Sequence, residues 1–251
     1  MQAKRGAKNL ERMEEHVPDF KYQSVHNTIS HSPWAYRPLM DEIALRADGL
    51  LGGGPRARLV IDDTGFAKKG NCSVGVARQY IGRVGKIDNG QVAVCTSLAS
   101  GQMSTTTDIR LYMPESWCDD PQRCEKAGVP EEFQKFATKT EIARQSVKHQ
   151  REIGVRFDVL SMDSGYGSDH GFLHHLDEDE ETFVAEVHCD QRVWIEAPWP
   201  HREGKRKAKQ LQHPVASSPS QRVDALAEAM SEGAWRRLEA LENQGQRPRL
   251  G

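Results

Sequence analysis

The 251-residue chain has only five cysteines, Cys72, Cys95, Cys118, Cys124 and Cys189, and no two form a CxxC pair. An odd, scattered set builds no disulfide framework, and such thiols are expected to be reduced, as in a cytoplasm. Cys118 and Cys124 have the look of half a zinc site. No second pair stands at ligand spacing, so they read as ordinary thiols. Long apolar runs are missing as well. Mean hydropathy is −0.69, and no window approaches the ~18 apolar residues of a membrane-spanning helix. That excludes a transmembrane protein and a membrane partner. The opening Met-Gln-Ala-Lys-Arg-Gly leads into no apolar stretch, so no secretory signal is expected. Charge of one sign is lacking too, with 34 Lys and Arg against 36 Asp and Glu. A protein basic throughout is thereby excluded, but a local basic patch is not.

Hydrophobic residues still make up 37% of the chain, enough for one core with polar tails. At about 150 residues per domain, the length fits one large domain, alone or with a small appendage. Residues 9–50 read as helical. Leu10, Met13 and Val17 fall at helical spacing before Pro18, and Ser32-Pro33 resembles a cap with Pro at the first helical position. Leu39, Met40, Ile43 and Ala44 then form an apolar stripe, and Gly52-Gly53-Gly54-Pro55 ends the region. Residues 1–54 are therefore expected to be an N-terminal helical region.

The main domain is expected over residues 55–242, with 243–251 a disordered tail. Arg58-Leu59-Val60-Ile61 reads as a buried strand with Asp62-Asp63 at its end. Residues 91–99 and 105–112 read as further strands of an antiparallel meander, and 114–130 as an irregular loop. Residues 131–153 form the strongest predicted helix. Pro130 precedes it, Glu131 and Glu132 lie in its first turn, and Gly154 ends it. A strand over 155–162 ends at Asp163. Ser168 is then expected to cap a short helix to Leu176, and 182–188 returns as a strand. A loop over 197–222 and a helix over 223–242 complete the order. This is the pattern of a mixed α/β, or α+β, domain.

Two features carry chemistry. Asp62-Asp63 and Asp163 end buried strands, and carboxylates at the ends of neighbouring strands can converge although a hundred residues separate them in sequence. Their mutual repulsion is relieved by a divalent cation, and Mg²⁺ prefers one or two carboxylates with water and substrate phosphate. Asp also favours turns and caps, which is the plainer reading of each position alone. The second feature is the segment from Thr64 to Gln91. It holds Lys68, Lys69, Arg78, Arg83 and Lys86 against the single acid Asp88, together with six glycines and Tyr80. Cationic, glycine-rich loops beside acids suit a polyanion, and a solvated hairpin has the same composition. Asp177 to Glu181 reads as a solvated acidic turn and His174-His175 as helix surface. The run Lys205-Arg206-Lys207-Ala208-Lys209 is either a phosphate contact or a flexible loop.

The block Val60-Ile61-Asp62-Asp63-Thr64-Gly65-Phe66-Ala67-Lys68-Lys69-Gly70 resembles the first-aspartate block of a bacterial insertion-sequence transposase family in the DDE superfamily. Ser73 to Tyr80, Gly85-Lys86, Gln91 to Val94, Arg110-Leu111-Tyr112, Pro114 to Trp117 and Asp119-Asp120 follow as in that family. Asp163-Ser164-Gly165-Tyr166-Gly167 is similar to its second-aspartate block. The resemblance runs from about Lys8 to Trp235. It implies an RNase H-like fold, a mixed five-stranded sheet flanked by helices. It also implies a DDE endonuclease and strand transferase that acts on transposon ends and target DNA. Two Mg²⁺ ions, a possible homodimer and a cytoplasmic, nucleoid-associated protein follow from it as expectations. By this resemblance the catalytic and metal-binding residues are Asp62, or Asp63 in its place, and Asp163, with Lys68, Lys69 and Arg78 on DNA. Asp62 is favoured over Asp63. The family's third acid, a glutamate on a later helix, has no counterpart here, because Glu186, Glu228 and Glu232 map to no motif. The chain is accordingly expected to be a fragment with weak activity or none. The alternative is a non-catalytic DNA-binding or inhibitory remnant.

Overall fold

The computed structural model describes Leu10 and residues 14–15, 17–32, 35–195 and 219–234. The chain divides into two compact units, Met1–Met40 and Asp41–Gly251. In the first, α1 (Tyr22–His31) has no buried residue. Helix α2 (Tyr36–Leu51) buries Ala44, Ala47 and Leu51, all within the second unit. Half of the run Leu10 to Val17, including Met13, together with the basic run 205–209, the end of the 223–242 helix and the tail, lies outside the described residues.

The second unit is built on a six-stranded sheet. Its strands are β1 (Ala57–Ala67), β2 (Ala77–Ile81), β3 (Lys86–Ser100), β4 (Met103–Leu111), β5 (Val159–Met162) and β6 (Phe183–Ala185). The order is β2-β3-β1-β5-β6, with β4 also paired to β3. Strands β1, β3 and β4 are an antiparallel meander, whereas β5 joins β1, and β6 joins β5, in parallel. This is the mixed α+β arrangement expected from the sequence, with one strand more than the five implied. The extra strand, β2, forms a hairpin with β3 inside the glycine-rich basic segment. A separate two-stranded ribbon pairs β7 (Arg192–Val193) with β8 (Gln221–Arg222), just before α8 (Val223–Ala229).

The core lies on one face of the sheet. Leu59, Ile61, Val94, Leu98, Leu160 and Met162 meet the helices there, and all are buried. The principal helix, α5 (Lys139–Glu152), turns Ile142, Ala143, Ser146, Val147 and Gln150 inward, the stripe of a 3.6-residue period. One of its two polar members, Ser146, donates to Asp108 Oδ2 at 2.7 Å, which ties the helix to β4 without leaving a buried hydroxyl unpaired.

Several boundaries differ from the sequence reading. The helix expected from residue 131 begins at Lys139. Thr138 Oγ1 accepts from Glu141 N at 3.2 Å, and Glu141 Oε2 accepts from Thr138 N at 2.7 Å. This reciprocal capping box supplies a stronger start than the acids after Pro130, which form only a short 3-10 turn, Glu131–Phe133. Residues 114–130 are not irregular. They fold into α3 (Glu115–Cys118) and α4 (Pro121–Lys126) around a second small core of Val76, Met113, Trp117, Cys124 and Val129. Fully buried Trp117 organises it, donating Nε1–H to Val76 O at 2.8 Å beneath the Arg123 guanidinium, 3.7 Å from the ring centroid. Asp169, not Ser168, caps the helix His170–Glu178, by accepting from Phe172 N. The acidic turn is not merely solvated. Asp179 takes two hydrogen bonds from Arg144 and Glu181 two from Arg151, so the loop is clamped to α5. The strand of 155–162 is regular only over β5, and that of 182–188 only over β6.

Candidate active site

Strand β1 runs past its parallel neighbour. Its pairing with β5 stops at Ile61 opposite Met162, while its pairing with β3 continues to Ala67 opposite Gly90. Asp62 and Asp163 are the next residues on the two strands, so they stand side by side where β5 ends. Asp62 is thus inside a strand, and only β5 terminates at its acid. Alternation separates the two candidates at the first position. Asp63 follows Leu59 and Ile61 onto the helix-covered face, and Asp62 follows Arg58 and Val60 onto the other.

Asp63 is engaged on its own side. Lys139 Nζ, in the first turn of α5, donates to its Oδ2 at 2.5 Å. The hydroxyl of Tyr166, in α6 (Ser164–Gly167), donates to its Oδ1. Tyr166 is buried, and its desolvation, the Asp63 charge and the bond to Asp63 all push its pKa upward. It is therefore a neutral donor. Sequence reasoning missed both partners. Tyr166 lies within the block around Asp163, so a signal for it existed. Lys139 had none, because its contact with Asp63 spans 76 residues.

Asp62 and Asp163 are arranged differently. Each uses one oxygen locally. Asp62 Oδ1 accepts from Asp63 N at 2.7 Å, and Asp163 Oδ1 accepts from Gly165 N at 3.0 Å. The turn-capping reading of Asp163 therefore holds, and it occupies only half of the carboxylate. No hydrogen bond or ion pair from the described residues reaches the second oxygen of either group. Asp62 reaches solvent, yet partial desolvation by the surrounding strands raises its pKa, and the charges of Asp163 and Asp63 push the same way. The backbone bond from Asp63 opposes these effects without cancelling them.

The basic residues sit beyond Asp62, past the end of β1 and on β2. Lys68 and Lys69 follow β1, and the Lys68 N–H donates to Asn89 O at 2.9 Å while its own O accepts from Asn89 Nδ2 at 2.8 Å. Arg78 is exposed on β2, opposite Asn89. His174 and His175 are exposed on α7 (His170–Glu178), away from any ligand set. Glu186 follows Ala185, the partner of Met162, and so comes next to Asp163 in the same cross-strand row. Among the described residues, no three His, Cys, Asp or Glu side chains converge as a ready-made metal site.

The sequence pattern of the DDE superfamily endonucleases matches residues 1–248. The chain belongs to that family. It is also 34% identical, over 177 residues, to a probable transposase for insertion sequence element IS701 from Microchaete diplosiphon. That match covers 69% of this chain and 42% of the relative, so the chain spans less than half of the curated protein it resembles. DDE endonucleases are metal-dependent and generally use Mg²⁺. The donor set of this DDE chain fits such an ion: two adjacent carboxylates, oxygen-only, each with an unengaged oxygen and with uncompensated negative charge between them. Among the described residues of this family member, no helix is long and apolar enough to cross a membrane.

Proposed function

We propose that this chain carries the carboxylate core of a transposase that cuts and joins DNA at insertion-sequence ends. The observation that carries the reading is the adjacency of Asp62 and Asp163 where β5 ends beside β1. Asp62 and Asp163 would hold Mg²⁺. When bound, the ion supplies Lewis acidity at a scissile phosphate and lowers the pKa of an attacking water or 3′-hydroxyl. The protein's part is to fix the two carboxylates in direction. The backbone N–H groups of Asp63 and Gly165 orient them. Lys139 and Tyr166 keep Asp63 turned to the other face, out of competition for the ion. Lys68, Lys69 and Arg78 meet the phosphate backbone beside the site, where positive charge gives salt-sensitive affinity.

A two-ion site needs more ligands than one carboxylate pair, so this chain by itself is expected to cleave slowly. The exposed Lys69 and Arg78 at the hairpin favour one second reading, a DNA-binding role without catalysis. The test uses the purified chain with DNA carrying the ends of its own element, and Mg²⁺ or Mn²⁺. Metal-dependent nicking that disappears in Asp62→Asn and Asp163→Asn supports the enzyme reading. Binding with no nicking replaces it by the second reading. Strong strand transfer would bring Glu186 into the site as the completing ligand.

A further inference from the structure

The face of the sheet that carries Asp62 continues past the carboxylates. Between β1 and β3, Asp62 pairs with Cys95, Thr64 with Ala93 and Phe66 with Gln91. Between β3 and β2, Arg78 pairs with Asn89 and Tyr80 with Ile87. Paired residues share a face, and every second residue returns to it. Asp62, Phe66, Arg78, Tyr80 and Ile87 therefore lie on one side of the sheet, opposite the buried core. Phe66 is 50% exposed, Tyr80 59% and Ile87 60%. A single exposed apolar side chain is ordinary, but two aromatics and an arginine on successive cross-strand rows of one face form a surface.

That surface is held firmly. Ile81 packs its side chain over Gly65 and Gly90, where an added Cβ would come within 2.7 Å and 2.5 Å of it. Gln79 Nε2 donates to Gly90 O at 2.7 Å, and Asn89 Nδ2 donates to Lys68 O at 2.8 Å and Gly70 O at 2.9 Å. The surrounding charge is cationic. Lys69, Arg78, Arg83 and Lys86 are exposed, and the one acid of the segment, Asp88, is paired to Lys86 at 3.2 Å. A polyanion with flat apolar groups complements both properties. Paired bases inside a duplex hide their faces, whereas unpaired bases offer them.

We propose that Phe66 and Tyr80 form a stacking platform for unpaired bases of a DNA end, with Arg78 on the accompanying phosphate and the strand leading toward Asp62 and Asp163. The inference rests on the reading of DNA as the partner and deepens it by naming the form of DNA: frayed or single-stranded at the site.

The experiment compares the full chain on a blunt duplex, the same duplex with a short unpaired tail, and oligothymidine, by fluorescence anisotropy. A 2-aminopurine in the tail reports stacking directly. Wild type is expected to bind the tailed DNA about tenfold tighter than the blunt duplex, with quenched 2-aminopurine. Phe66→Ala and Tyr80→Ala should remove the preference and the quenching while blunt-duplex affinity stays within about twofold. Tyr80→Phe should retain both. Arg78→Gln should weaken both DNA forms alike and lower the salt slope by about 1. Both aromatics are at least half exposed, so their truncation leaves the core intact, and circular dichroism verifies it. Equal wild-type affinity for blunt and tailed DNA overturns the platform alone. Absence of binding to any DNA overturns the proposed function with it. A concentration-dependent dimer that dissociates in Phe66→Ala assigns the surface to a second copy and also overturns the platform.

Discussion

Lys139 Nζ lies 2.5 Å from Asp63 Oδ2, although the two residues are 76 positions apart. Each side chain of the pair is about one-third exposed, at 33% and 31%. The contact, with the buried Tyr166 hydroxyl on the other oxygen, fixes β1 at Asp63 to the first turn of α5 and to α6. Removing Tyr166 OH withdraws a donor from a charged acceptor. Tyr166→Phe is therefore expected to cost roughly 1–2 kcal/mol in urea unfolding. Lys139→Met should cost less, about 1 kcal/mol, because solvent screens the pair. Unchanged midpoints in both variants would contradict this account of Asp63.

The two neighbouring aspartates should behave differently toward metal. Asp62→Asn and Asp163→Asn are each expected to weaken Mn²⁺ binding by at least about tenfold in calorimetry, since either removes half of a two-carboxylate donor set. Asp63→Asn should weaken it by no more than about threefold, through looser positioning alone. A larger loss in Asp63→Asn than in Asp62→Asn would exchange their roles.

Cys95 stands opposite Asp62 on β3. Burial, followed by the charges of Asp63, Asp62 and Asp108, pushes its thiol up to about 11. At pH 8 only about 0.1% is thiolate, the reactive form. Iodoacetamide should therefore modify the exposed Cys72 and Cys189 long before Cys95, as peptide mass spectrometry would show. Labelling of Cys95 at the same rate as Cys72 would show that its surroundings are neither dry nor negative.

The clamp between Arg144 and Asp179 gives an acid dependence. The hydrogen bonds from Arg144 lower the Asp179 pKa in the folded chain. A depressed carboxyl pKa stabilises the fold above the ordinary aspartate value, and that contribution disappears as pH falls through the lowered one. Asp179→Asn should lower the urea midpoint at pH values above the ordinary aspartate pKa, and the difference should shrink as pH falls below it. A constant difference across that range would mean that shape, and not charge, holds the loop.

Much of the site was legible because its signals are local. Arg58 to Ile61 is apolar and β-branched enough to call for a buried strand, which located Asp62 and Asp63. The apolar run before Asp163 did the same for β5. Two-residue alternation showed that Asp62 and Asp63 point to opposite faces, but not which face is covered. That depended on α5 packing its Ile142, Ala143 and Val147 stripe on the side of Leu59 and Ile61. The same packing delivers Lys139 to Asp63 and leaves Asp62 beside Asp163.

The errors have one cause. Residues 114–130 have loop-like composition, yet fold because Trp117 finds Val76 O across 41 residues. The long helix starts at Thr138 because Glu141 reciprocates the cap, a side-chain geometry that competes with the acids after Pro130. Composition and periodicity specified the strands that carry Asp62, Asp63 and Asp163 and the helix that packs on them. Partners distant in sequence decided where those elements begin, which aspartate is engaged and which face stays open, because burial and hydrogen bonding are settled only when separate segments meet.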